Sequence, residues 1–183
     1  MSHPDNIVRI AADAVRVERL LPGPIERVWA FLVDPAKRRL WLADGAFELR
    51  PGGTAELQFR HRDLSPDSVV PERFRDMHEI GHTNRGTVIA CNPPNHLAWT
   101  WGHTPDDRSE VDIRLHAEGD MVRLALVHQR LSDRDLLGVS GGWHTHLDML
   151  RARLNGEPVG DFWAAYAANV ARYAAYAPDT PAC

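Results

Sequence analysis

His96-Leu97-Ala98-Trp99-Thr100-Trp101 is a short segment in which apolar bulk returns at every second residue. Side chains alternate across a strand, so Leu97, Trp99 and Trp101 share one face. Segment 121–130 repeats the period with Val122, Leu124 and Leu126, then places His128 on that same apolar face. Two tryptophans and a histidine on a sheet face, roofed by a helix carrying Trp143, describe the walls of a container. Such walls select which small molecules can be held.

Outward from these strands the same period continues. Val111, Ile113 and Leu115 alternate up to a turn at Glu118-Gly119-Asp120. A strand over 85–91 precedes the turn Asn92-Pro93-Pro94-Asn95. Phe47 and Leu49 lead into Pro51-Gly52-Gly53, and Ala55, Leu57 and Phe59 return, which reads as a hairpin. A first strand spans about 14–21 after a loose lead-in over 1–12. Pro22-Gly23 breaks it, and a helix with Ile25, Val28, Trp29 and Leu32 at helical spacing runs to Val33. Asp34-Pro35 supplies an N-cap and a first-turn proline for a second short helix reaching Trp41. Residues 61–83 are polar and irregular, and a connection that long reads as a lid or binding loop.

Downstream, Trp143, Leu147, Leu150 and Leu154 form one helical stripe, with Ser140 as N-cap and Asn155-Gly156 followed by Pro158 as the stop. That helix spans roughly 25 Å, enough to cross a sheet. An alanine-rich helix over 161–176 follows, with Phe162, Trp163, Tyr166, Val170 and Tyr173 as its packing face or an oligomer contact. Consecutive strands bracketed by helices imply α+β with an antiparallel sheet, one face covered and the other wet.

The bulk numbers agree with one domain. The chain has 183 residues, 44% hydrophobic and 25% charged, with a net charge of −4. That balance argues against a nucleic-acid partner, and Lys37-Arg38-Arg39 reads as a small solvated patch. Cys91 and Cys183 make no disulfide framework, which points to a reducing compartment. The N-terminal residues have no apolar signal core, and no run approaches the ~18 apolar residues of a membrane helix. A cytoplasmic protein with no membrane partner is the expectation.

The order of these pieces resembles a known family. Pro24-Ile25-Glu26-Arg27-Val28-Trp29, Asp34-Pro35, Trp41, the Pro51-Gly52-Gly53 hairpin, Pro94 before Leu97-Ala98-Trp99-Thr100-Trp101, Leu124-Ala125-Leu126-Val127-His128 and Gly142-Trp143 carry the likeness. It looks like the SRPBCC (START-like, helix-grip) superfamily, in the group similar to the C-terminal domain of the activator of Hsp90 ATPase. The likeness covers about 12–155 and implies a curved antiparallel sheet of six or seven strands around a long C-terminal helix, with an apolar cavity between them. The 61–83 segment and the 161–176 helix depart from the shared pattern.

Several motifs invite sharper readings. His78-Glu79-Ile80-Gly81-His82 matches the zincin signature, which needs both histidines on one helix. Gly81 and the loop-like surroundings favour a plain polar loop, so no metal is expected. His144 and His146 diverge by about 200° on a helix and read as surface or rim residues, with His144 able to pair with Asp148. His128 is either tied to a neighbouring partner or a pocket donor or acid/base. Cys91 reads as a small core residue.

The resulting expectation is a helix-grip domain over 13–156, with a lead-in over 1–12 and a helical extension over 157–183. It binds a small apolar or aromatic ligand without transforming it and uses no cofactor. The expected walls are Leu57, Phe59, Trp99, Trp101, Leu126 and Trp143, with His128 and Trp41 as polar or gating contacts. Two rival readings follow from the resemblance. One is a polyketide cyclase or aromatase in which a pocket histidine steers ring closure. The other is a chaperone-associated interaction protein. A homodimer through the terminal helix is a further possibility.

Overall fold

The computed structural model describes residues 5–102 and 108–174. Cys183, the first four residues of the lead-in and the last two of the 161–176 helix lie outside the described residues. The elements run β1 (Val8–Ala11), β2 (Ala14–Pro22), α1 (Ile25–Val33), α2 (Pro35–Arg38), β3 (Thr54–Phe59), α3 (His61–Leu64) and α4 (Arg75–Glu79). They continue with β4 (His82–Asn92), β5 (His96–Trp101), β6 (Ser109–Glu118), β7 (Met121–Gln129), α5 (Asp133–Asn155) and α6 (Phe162–Ala174). One seven-stranded sheet has the order β1-β2-β7-β6-β5-β4-β3, antiparallel at every pair. With the long helix α5 packed on it, this is the α+β helix-grip architecture.

Local sequence explains most elements. In β7, Val122, Leu124, Leu126 and His128 are buried and their neighbours are not, a period of two over the whole strand. Asp34 caps α2, its carboxylate accepting from the Ala36 N–H at 2.9 Å. Gly156 ends α5 in the left-handed region at φ 72°, where a side chain would strain the backbone. Trp143, Leu147, Leu150 and Leu154 are all buried, and each contributes about 1.5–3 kcal/mol of transfer free energy.

Five expectations need correction. The lead-in contains a strand, because β1 pairs with β2 in register Val8↔Arg16. Phe47 makes only an isolated bridge to Ala55, so the first arm of the expected hairpin is not a strand. The 61–83 segment is not irregular throughout: it folds into α3, a 3₁₀ turn at Glu72–Phe74 and α4, and β4 already begins at His82. Helix α5 starts at Asp133, with Ser132 as the cap accepting from Asp135 N–H, and is about 34 Å long. Ser140 sits inside it and donates to the Leu136 carbonyl at 2.7 Å.

The fifth concerns Arg38, which is buried rather than part of a solvated patch. Its guanidinium donates to the carbonyls of Leu32, Val33, Ala43 and Gly45 and lies 4.3 Å over the Phe47 ring. Burial lowers its pKa to about 10, so it remains charged at neutral pH. Arg38 thereby satisfies the backbone between α1 and β3, where neither helix nor sheet supplies donors.

Arg19 plays a comparable part at the other end. It is buried on the inward face of β2 and meets Asp148 of α5 at 3.2 Å. His144 Nε2 lies 3.2 Å from the same carboxylate, and its Nδ1 lies 2.5 Å from the Tyr173 hydroxyl of α6. No helix among the described residues is long and apolar enough to cross a membrane.

Candidate functional site

The sheet, α5 and α6 do not close completely. A partly open cavity of about 170 Å³ remains between them. Phe59, His82, Trp101 and His128 face it from the sheet; Val139, Gly142, Trp143 and His146 from α5; Phe162, Trp163 and Tyr166 from α6. His61, Phe74 and Met77 close the remaining side from the 61–83 segment, together with Leu42. No Asp, Glu, Lys or Arg is among these residues.

The aromatic rings hold one another in place. Trp101 meets Trp143 edge-on at 5.7 Å, Phe74 stacks on Trp163 at 4.7 Å, and Phe59 stacks on His82 at 4.6 Å. Such pairs contribute about 0.5–1.5 kcal/mol each beyond buried area, so the walls are preformed. Beyond Trp101, His128 and Val139 the cavity adjoins a second, more polar compartment of about 380 Å³, lined also by Asn84, Ser109, Arg134 and Asp135.

The sequence-derived wall divides into two groups. Phe59, Trp101, His128 and Trp143 line the cavity. Trp41, Leu57, Trp99 and Leu126 do not: they are buried in the core behind it. Trp99 packs on Phe47 at 5.4 Å, and Trp41 donates its indole N–H to the Phe31 carbonyl at 2.9 Å.

His128 is fully engaged. Its Nδ1 accepts the indole N–H of Trp143 at 2.9 Å. The neutral ring therefore carries its proton on Nε2 and donates to Ser109 Oγ at 2.8 Å, and Ser109 in turn donates to the Trp101 carbonyl at 3.1 Å. Burial pushes the imidazole down to about 3. Both nitrogens are used, which suits a strut between β7, β6 and α5 and leaves no proton-transfer position.

The polar groups that sequence reasoning missed are His61 and His146. His146 is a correction: it is buried, not at the rim, and so is His144. His146 Nδ1 donates to the Trp41 carbonyl at 2.7 Å, which leaves Nε2 as an unprotonated acceptor with no partner among the described residues. Burial lowers its pKa to about 4. His61 lies 5.7 Å away, ring to ring, and its Nδ1 is buried with no hydrogen-bond partner among the described residues. Burial, with the neighbouring His146 and His82 rings adding to it, pushes His61 down to about 3.

A signal for His146 was present, since it follows Trp143 by three residues and therefore shares its face. His61 carried none, because its segment showed no period.

The zincin pattern falls apart in space. His78 lies in the last turn of α4 and accepts the Trp163 indole N–H at 3.0 Å, Gly81 turns the chain at φ 79°, and His82 opens β4. The two histidines are not on one helix.

The helix-grip architecture defines a START-like protein. The family model of the activator of Hsp90 ATPase homolog 1-like proteins matches residues 22–155, and the chain belongs to that family. Among solved structures, it is similar to the protein encoded by gene BPP1335 of Bordetella parapertussis, at 41% identity over 95% of this chain and 94% of that one, with a TM-score of 0.78. CalU16 from Micromonospora echinospora shares the fold at 24% identity over 88% and 86% of the two chains, with a TM-score of 0.65. DynU16, from the dynemicin biosynthetic locus, does so at 19% identity over 84% of this chain and 51% of that one, with a TM-score of 0.63. No match is found among curated proteins.

Proposed function

We propose that the protein holds a small, largely apolar aromatic molecule in the cavity between sheet, α5 and α6. The carrying observation is a preformed hollow of about 170 Å³ whose lining includes aromatic rings on several sides and no charged side chain. An apolar cavity of about 150 Å³ is already enough to take up benzene, so one substituted ring is the natural size of guest. Burying its surface contributes about 25 cal/mol per Å², and the stacked walls need little reordering to receive it. His128 supports this reading over catalysis at that residue, since both of its nitrogens are committed to neighbours.

Trp101, Trp143 and Trp163 all border the hollow, so intrinsic fluorescence reports occupancy. Titration with substituted benzenes should quench or shift that emission and raise the melting temperature in proportion to saturation. Substituting Gly142→Leu, where an added side chain enters open space beside the cavity, should abolish both effects while the protein stays folded. A panel that leaves emission and melting temperature unchanged in the unsubstituted protein would sink the proposal.

A further inference from the structure

The cavity is apolar but not featureless: besides the Tyr166 hydroxyl, its lining carries the imidazoles of His61 and His146. His146 turns Nδ1–H to the Trp41 carbonyl, so the nitrogen left over, Nε2, offers a lone pair and no proton. His61 leaves Nδ1 without a hydrogen-bond partner among the described residues. Protonated on Nε2, the neutral ring leaves Nδ1 as an acceptor. Both rings pack against Phe162, at 4.6 Å for His61 and 4.9 Å for His146, within the same wall. Buried acceptors without donors are uncommon in folded proteins and carry a desolvation penalty.

From this juxtaposition of two imidazole acceptors in an aromatic hollow we infer that the ligand is a neutral hydroxylated aromatic, a phenol, whose O–H donates to His146 Nε2. The inference rests on the cavity reading above and adds the chemistry of the guest.

Other donors fit less well. The surroundings that drive His61 and His146 to their neutral forms would impose the same desolvation on an ammonium ligand, and no carboxylate lines the cavity to offset it. A carboxylic acid is ionised at neutral pH and would bring a charge into a lining with no Arg or Lys to offset it. A phenol stays neutral, is flat enough for the stacked walls and donates more strongly than an aliphatic alcohol.

The experiment is a matched series in the full-length protein: 4-ethylphenol, 4-ethyltoluene and 4-ethylanisole, titrated by tryptophan fluorescence at pH 7. These share a ring and an ethyl group and differ in having a donor, no polar group, or an acceptor only. One hydrogen bond to a neutral group corresponds to a preference of about fivefold or more for 4-ethylphenol over both analogues. His146→Phe should remove most of that preference while retaining 4-ethyltoluene binding. Should His146→Phe not fold, the nitrogen-15 resonances of the imidazoles provide the second measurement. The unprotonated His146 nitrogen should move on addition of 4-ethylphenol and not of 4-ethylanisole.

Equal affinity for all three compounds overturns the phenol assignment and leaves the cavity reading standing. Binding of none overturns both. An unaltered preference in His146→Phe places the donor elsewhere and overturns the role of His146.

Discussion

His128 and His146 are both buried imidazoles at the cavity wall, and one hydrogen bond separates their roles. His128 has an indole N–H on one nitrogen and a hydroxyl on the other, whereas His146 has a carbonyl on one and no hydrogen-bond partner among the described residues at the other. Residue type and apolar company pointed to His128 alone; the availability of a lone pair is a matter of neighbours. Arg38 makes the same point for stability. Its guanidinium donates to carbonyls that no backbone N–H serves. Arg38→Met keeps the volume and removes the donors, and should lower unfolding free energy by about 3 kcal/mol in urea titrations. Arg38→Lys should recover only part of this, because an ammonium cannot span the same fork of acceptors. A loss below about 0.5 kcal/mol for Arg38→Met would place those carbonyls in water instead.

The glycine pair in α5 separates propensity from packing at the level of elements. Gly138, Gly141 and Gly142 weaken the helical signal, which is why the expected cap fell at Ser140; packing against the sheet and α6 carries the helix back to Ser132. A Cβ on Gly141 would lie 2.5 Å from Val170 Cγ2 and 3.3 Å from the Val170 backbone nitrogen. Gly141→Ala should therefore push α6 away and cost about 1–3 kcal/mol despite its better helix propensity. A Cβ on Gly142 meets nothing within 4 Å. Gly142→Ala should gain about 0.5–1 kcal/mol, as expected where only propensity acts. Thermal unfolding of the two variants side by side checks the contrast, and equal effects would mean that α6 does not bear on Gly141.

For the whole molecule, buried neutral histidines set the acid limit. His61 and His128 sit at about 3 and His146 at about 4, against an ordinary value of 6.5. These depressed values mean that the native state holds the rings neutral while the unfolded chain takes up protons below pH 6.5. The unfolded state then binds more protons, so stability is fully present above about pH 6.5 and falls as pH drops toward 4. Three such groups give a slope of about 4 kcal/mol per pH unit once the unfolded rings are protonated, large against a typical total of about 5–15 kcal/mol. Urea midpoints at pH 7, 6 and 5 should decline steeply, and His61→Phe should flatten the decline. A midpoint independent of pH over that range would show the rings to be solvated.

Sequence alone determined what short-range physics controls. Alternation marked β5, β6 and β7, Asp34 and Gly156 marked helix ends, and the Trp143–Leu154 stripe marked the face of α5, because strand pleat and helix pitch act over a few residues. These signals supplied the parts of an antiparallel α+β fold, and the helix-grip connectivity followed only from the resemblance to the SRPBCC superfamily. Tertiary structure decided which side chains face the hollow and which lie behind it. Trp99 and Leu126 obey the same alternation as Trp101 and His128, yet only the latter pair reaches the cavity, since sheet curvature and the position of α6 choose among inward residues. It also decided the state of the histidines, for His146 meets a carbonyl 105 residues away and no local pattern encodes a partner at that distance.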